Sequence, residues 1–159
     1  MRHKTLIPRQ RTEDHLLARW PLNLRVEDLL TWKIQSGEQR DIIIATGELD
    51  ISTAPSLGGH LKPLADAGRH LILDLARVRF CDCAGLSSFL KLQEHTTAAG
   101  GSLHLAAPTV MVRRVITLSR LSDVFLITSS TADAIVALEV AASQRAAAPR
   151  NPENGDKPG

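Results

Sequence analysis

The sequence predicts one α/β domain, a mixed sheet that opens with a hairpin, continues through parallel crossovers and carries helices packed on it. Three observations lead there. The chain has 159 residues, 43% of them hydrophobic, a size and composition suited to one cored domain. A partly alternating run, a turn and a β-branched run follow one another between residues 29 and 46, the pattern of a hairpin. From residue 70 onward, apolar runs of strand length alternate with segments of helical period, and strands alternating with helices pair in parallel.

Taken in order, residues 1–27 carry six basic and three acidic groups among isolated apolar residues. They read as a flexible basic N-terminal arm, with a short helix over 13–20 that Pro21 stops. Residues 29–35 and 41–46 form the hairpin strands around Ser36-Gly37-Glu38. Ser52 or Thr53 then caps a helix marked by Leu57, Leu61 and Leu64, with Pro55 in its first turn. Gly58, Gly59 and Pro63 predict that it is short or irregular.

Residues 70–75 suit an interior strand. A helix over about 84–99 follows, with Leu86, Phe89, Leu90 and Gln93 on one face, and Gly100-Gly101 ends it. Residues 102–106 alternate as a strand, and Pro108-Thr109 opens a helix burying Val112, Val115, Ile116 and Leu118. Residues 124–128 are the next strand. Ser130 or Thr131 caps a closing helix over about 132–145, with Ile135, Leu138 and Ala142 on its apolar stripe. The order is β-β-α-β-α-β-α-β-α within a domain spanning 28–145. Residues 146–159, rich in Pro, Gly and polar side chains, form a disordered C-terminal tail.

Composition excludes several functions. Aromatic residues are only 3%, with no Tyr, which disfavours a reader of single-stranded nucleic acid that stacks bases. Residues 28–144 hold ten basic and twelve acidic groups, a poor surface for phosphates, so no direct nucleic-acid partner is expected. Cys81 and Cys83 cannot build the disulfide framework of a secreted scaffold. No apolar run approaches the about 20 residues that span a bilayer. The expected compartment is the cytoplasm.

Enzyme signatures are scarce. There is no Gly-rich phosphate loop, and Gly100-Gly101 closes a helix instead of opening one. The six histidines show no metal spacing, and Cys81-Asp82-Cys83 offers at most three ligands in a crowded tripeptide; no metal or other cofactor is expected. Cys83 falls at a helix N-terminus, where backbone N–H groups favour a thiolate, whereas Asp82 beside it opposes a second negative charge. The ordinary alternative is a small half-buried thiol packed at a strand-to-helix turn. Glu48, Asp50, Asp74 and Asp82 fall at strand ends, where capping and turn formation compete with carboxylate chemistry.

Two stretches carry a resemblance. Gly47-Glu48-Leu49-Asp50-Ile51-Ser52-Thr53-Ala54-Pro55, and Leu71-Ile72-Leu73-Asp74-Leu75 leading through Phe80-Cys81-Asp82-Cys83-Ala84-Gly85-Leu86, are separated by one helix. Gly100-Gly101-Ser102-Leu103 and Val112-Arg113-Arg114-Val115-Ile116-Thr117-Leu118 follow in the same order. Over about residues 28–142 the chain resembles the STAS domain family, of the bacterial anti-sigma factor antagonist (anti-anti-sigma factor) type. The resemblance implies a non-enzymatic protein that binds an anti-sigma factor with serine kinase activity and so releases a sigma factor for transcription. In such partner switching the kinase phosphorylates a Ser of the antagonist, and a phosphatase restores it. The matching position here is Cys83.

The resemblance implies a partner-binding surface of Glu48, Asp50, Thr53, Asp82, Cys83, Gly85 and Ser87. A thiol fills the space of a hydroxyl but is not a normal kinase substrate, so docking without a switch at Cys83 is expected. Ser52, Thr53, Ser87 and Ser88 are the alternative phosphosites. Two other readings stand beside this one: a cytoplasmic STAS subunit of a membrane lipid or anion transport system, and a thiol-based redox regulator or enzyme using Cys83 with Cys81. The strand at Trp32, if it is an open edge, can also pair two subunits into a homodimer.

Overall fold

A computed structural model describes the backbone of residues 2–6 and the chain over residues 29–148. Its strands are β1 (Arg2–Leu6), β2 (Thr31–Ser36), β3 (Arg40–Leu49), β4 (His70–Cys81), β5 (Ser102–Ala106) and β6 (Leu126–Thr128). Its helices are α1 (Ala54–Asp66), α2 (Cys83–Ala98), α3 (Val110–Leu118) and α4 (Thr131–Ala147). The sheet runs β1-β2-β3-β4-β5-β6, antiparallel from β1 to β3 and parallel from β3 to β6. The mixed sheet read from the sequence is this one, with β1 added.

That addition changes the edge. Arg2–Leu6 pairs antiparallel with β2, Leu6 opposite Trp32, so the edge expected to be open for a second subunit is occupied. Trp32 itself is buried, its ring meeting the His60 ring edge-on at 5.1 Å. The helix expected over 13–20 lies outside the described residues.

Helices α1, α2 and α3 cover one face of the sheet through Leu57, Leu61, Phe89, Val112 and Ile116, and α4 covers the other through Ala134 and Leu138 against Ile72 and Ala106. α1 is neither short nor broken: it runs for 13 residues despite Gly58, Gly59 and Pro63. Its buried residues Ala54, Leu57, Leu61 and Ala65 keep helical spacing, and burying that stripe outweighs propensity penalties on the exposed side. Gly58 has a packing role, since a Cβ there would lie 3.1 Å from Ser88 Oγ on α2.

Other boundaries shift for local reasons. Val124 and Phe125 belong to a turn before β6, Phe125 packing edge-on against Phe89 at 6.2 Å. On α3 only Val112 and Ile116 are buried, and Leu118 is 73% exposed, because the nine-residue helix offers the sheet a narrow stripe. On α4, Ala134 takes the buried place expected of Ala142, which is exposed. That helix continues to Ala147, two residues into the segment read as tail. Ser130 is its cap, accepting from the Asp133 N–H at 3.0 Å, while the Thr131 hydroxyl donates to Asp74 Oδ2.

One buried ion pair closes the end of the sheet where β3 and β4 begin. Asp41 is fully buried and paired with Arg69. The same guanidinium donates to the carbonyls of Gly37 at 2.6 Å and Glu38 at 2.9 Å, tying the hairpin turn to the entry of β4.

Candidate functional site

The opposite end of the sheet, where β3 and β4 finish, gathers most of the residues singled out from the sequence. Parallel pairing places Glu48 beside Phe80 and Leu49 beside Cys81. The chain then turns into α1 after Leu49 and into α2 after Cys81, so the two turns start side by side. They are joined directly, because the Asp82 N–H donates to the Leu49 carbonyl at 3.1 Å. Register shifts between Ile44 and Thr46 and between Gly47 and Glu48 each place an extra residue on β4, and Gly47 on β3 is left-handed, φ +120°; a Cβ on Gly47 would sit 2.5 Å from the Leu29 carbonyl oxygen.

The first turn is organised by Asp50 and not by the Ser52 or Thr53 cap expected from sequence. Asp50 Oδ1 accepts from the Ser52 N–H at 2.8 Å, the Ser52 hydroxyl at 2.6 Å and the Thr53 N–H at 3.0 Å. Thr53 occupies the cap position of α1 but its side chain makes no cap bond. Its hydroxyl oxygen instead accepts from the Asp50 N–H at 3.0 Å and lies 2.8 Å from the Glu48 carbonyl. Burial alone would raise the Asp50 pKa, but the hydrogen bonds from Ser52 and Thr53 outweigh it and hold the carboxyl below its ordinary value.

Asp82 caps α2 by accepting from the Ala84 N–H at 2.8 Å and the Gly85 N–H at 3.1 Å. Cys83 is the first helical residue and is exposed. Cys81 points the other way, buried, its thiol pushed up to about 12 by burial first and by the Asp82 and Cys83 charges after it. The two cysteines therefore have separate chemistry: Cys83 is open to solvent-borne reagents and Cys81 is a core residue. Gly85 is the spacer that lets α2 start so close to β3. A Cβ there would lie 2.7 Å from Cys81 Sγ and 2.9 Å from the Leu49 carbonyl oxygen.

Of the hydroxyls, Ser52 and Ser87 are exposed and Thr53 is half-buried. Ser87 donates to the Cys83 carbonyl at 2.8 Å. Ser88 is buried and donates to the Ala54 carbonyl at 3.3 Å across the α1–α2 contact. Asp74 lies apart, accepting from the Ala76 N–H and the Thr131 hydroxyl.

The sequence reading missed two apolar side chains at this surface. Ile51, in the first turn, is 78% exposed, and Phe80, opposite Glu48, is 42% exposed. Phe80 stands two residues after the buried Val78, and the register shift opposite Glu48 turns it outward. Also missed was a groove of about 540 Å³ between α1 and α2, lined by Ile51, Pro55, Ser87, Ser88 and Lys91 among others. Two small residues, Gly58 and Ala84, are also in its lining, and neither apolar periodicity nor any motif signals it.

The STAS domain family matches residues 33–134 of this chain. The anti-sigma-B factor antagonist of Bacillus subtilis (strain 168) is 32% identical over 85 residues, which is 54% of this chain and 78% of the relative. The crystal structure of an anti-sigma factor antagonist from Mycobacterium paratuberculosis superposes with a TM-score of 0.65 at 25% identity, over 73% of this chain and 99% of that one. The STAS fold also recurs within the murine anion transporter Slc26a9, with a TM-score of 0.56 at 19% identity, over 67% of this chain and 18% of that one. The chain belongs to the STAS domain family. Among its described residues, no helix is long and apolar enough to cross a membrane.

Proposed function

We propose that this protein is an anti-sigma factor antagonist that docks on an anti-sigma factor with serine kinase activity and thereby frees a sigma factor. The docking surface is the joined pair of turns carrying Glu48, Asp50, Thr53, Asp82, Cys83 and Ser87, with Ile51 and Phe80 as its apolar contacts, and Gly85, expected on it, is the buried spacer beneath. The observation that carries the reading is Cys83, exposed as the first residue of α2 and flanked by the Asp82 cap and the Asp50 turn.

A phosphate at that position would add about two negative charges beside two carboxylates and drive a partner off. Cys83 has no hydroxyl to accept it. The antagonist therefore binds like an unphosphorylated one and is not released by the kinase at this position. Incubation with the anti-sigma factor kinase and ATP, read by phosphate-affinity electrophoresis, tests this. The expected result is no phosphate on Cys83 in the wild type and phosphate on the new hydroxyl of Cys83→Ser. A phosphorylated wild-type chain mapped to residue 83 contradicts the reading.

A further inference from the structure

The exposed apolar surface is concentrated on one side of the molecule. Apart from Ile51 and Phe80, every exposed large hydrophobic side chain among the described residues lies on α3, on β6, on α4 or in the turn between α3 and β6. β6 is an edge strand of only three residues. α3 packs against the sheet face that holds α1 and α2, and α4 against the other, so the two helices lie on opposite faces of the sheet.

The outward stripes of the two helices are complementary. On α3, Val110, Arg114 and Leu118 follow at intervals of four, with Val110 86% and Leu118 73% exposed and Met111 and Arg113 alongside. Such spacing puts them on one helix face. Among the described residues no carboxylate lies within ion-pairing distance of Arg113 or Arg114. On α4, Asp133, Val136 and Val140 form the matching stripe, Val136 57% and Val140 50% exposed, and among the described residues no cation lies within ion-pairing distance of Asp133. One helix is apolar and basic, the other apolar and acidic.

We propose that the β6 edge is the interface between two copies of this chain, with α3 of each copy seated on α4 of the other and Arg114 facing Asp133. A two-fold axis along the edge strand exchanges the two sheet faces, so it brings α3 to α4 twice, as a closed isologous dimer requires. Apolar side chains on both stripes supply the buried area and the opposite charges fix the pairing. An anionic lipid surface fits less well. Arg114 sits in the middle of the apolar stripe and not at its margin, and the second helix carries the wrong sign for such a surface. The interface is independent of the docking surface on β3 and β4, so neither proposal rests on the other.

Sedimentation velocity between about 1 μM and about 1 mM decides the matter. The expected result is a concentration-dependent species of twice the 17.3 kDa chain mass. Arg114→Glu and Asp133→Arg should each leave only monomer, and Arg114→Glu combined with Asp133→Arg in one chain should recover the dimer, because both reciprocal contacts are repaired. All four positions used are exposed, so circular dichroism should be unchanged, and Val136→Asp provides a second disruptive variant beside Leu118→Asp. A wild type that stays monomeric throughout overturns the proposal. So does a dimer indifferent to Arg114→Glu, a double variant that stays monomeric, or a monomer that co-sediments with phosphatidylglycerol vesicles through Arg114.

Discussion

The N–H of Asp82 donates to the carbonyl of Leu49 at 3.1 Å, and this bond makes one surface out of two turns that are more than thirty residues apart in the chain. It sets the turn that begins at Asp50 beside the turn that begins at Asp82 and leads into Cys83. Everything proposed for docking depends on that adjacency, and the side chains that secure it are therefore the ones to alter.

Gly85→Ala should disturb this surface most. The added methyl would lie 2.7 Å from Cys81 Sγ and 2.9 Å from the Leu49 carbonyl oxygen, so α2 must shift away from β3. Overpacking of this kind costs about 1–3 kcal/mol. Urea denaturation should show a lower midpoint, and affinity for the partner should fall with it; Cys83→Ser, which adds no volume at an exposed position, should leave the midpoint unchanged.

Asp82→Ala removes the acceptor for the Ala84 and Gly85 N–H groups. Loss of an N-cap costs about 1 kcal/mol, and Asp82→Asn, which retains an acceptor oxygen, should recover most of it in thermal denaturation.

Arg69→Ala should be the most damaging polar substitution. It strands the fully buried Asp41 and frees the carbonyls of Gly37 and Glu38. Removing one partner of a buried pair costs about 3–5 kcal/mol, an effect large enough to read as partial unfolding at physiological temperature. The combined Arg69→Met and Asp41→Leu should be milder than Arg69→Ala alone.

The buried imidazoles give stability a pH dependence. His104 is buried, its Nδ1 without a hydrogen-bond partner among the described residues, and burial first, then the neighbouring His70, holds its pKa below the ordinary 6.5. His70 is likewise lowered, by burial and then by Arg145 and Arg69. As pH falls below the unfolded value of 6.5, the unfolded chain takes up protons that the folded chain refuses, so stability declines with acidification until the folded pKa is reached. Urea midpoints measured at pH 7.5 and 5.5 should differ, and His104→Leu should reduce the difference.

Thiol reactivity should separate the cysteines. Iodoacetamide should add one group to the native protein, at the exposed Cys83, and a second only after unfolding, at the buried Cys81. Two rapid additions to the native chain, read by intact mass, would contradict the packing of Cys81 against Gly85.

Much of this fold was legible because its signals are local. The hairpin, the three strand–helix alternations and the Asp82 cap each rest on residues a few positions apart, and burial of the stripe Leu57, Leu61 and Ala65 carried α1 through its glycines and Pro63. What stayed hidden is long-range. Arg69 and Asp41 meet across 28 positions, β1 pairs with β2 across a comparable gap, and the outward turn of Phe80 follows from a register shift that no periodicity announces. At the site, the residues were legible through their resemblance to a family, whereas their contact through Leu49 and Asp82 needed the sheet. Leu118 failed as a core residue for a related reason: α3 is amphipathic in sequence, but only the narrow stripe of Val112 and Ile116 meets the core.

Affinity for the anti-sigma factor kinase of the same organism, measured by calorimetry with ADP and then with ATP, tests the proposed function most directly. A complex that forms equally in both nucleotides, while Cys83→Ser binds with ADP and is released with ATP, is the predicted result. Failure of the wild type to bind in either nucleotide, or its release by ATP with phosphate at residue 83, would contradict it.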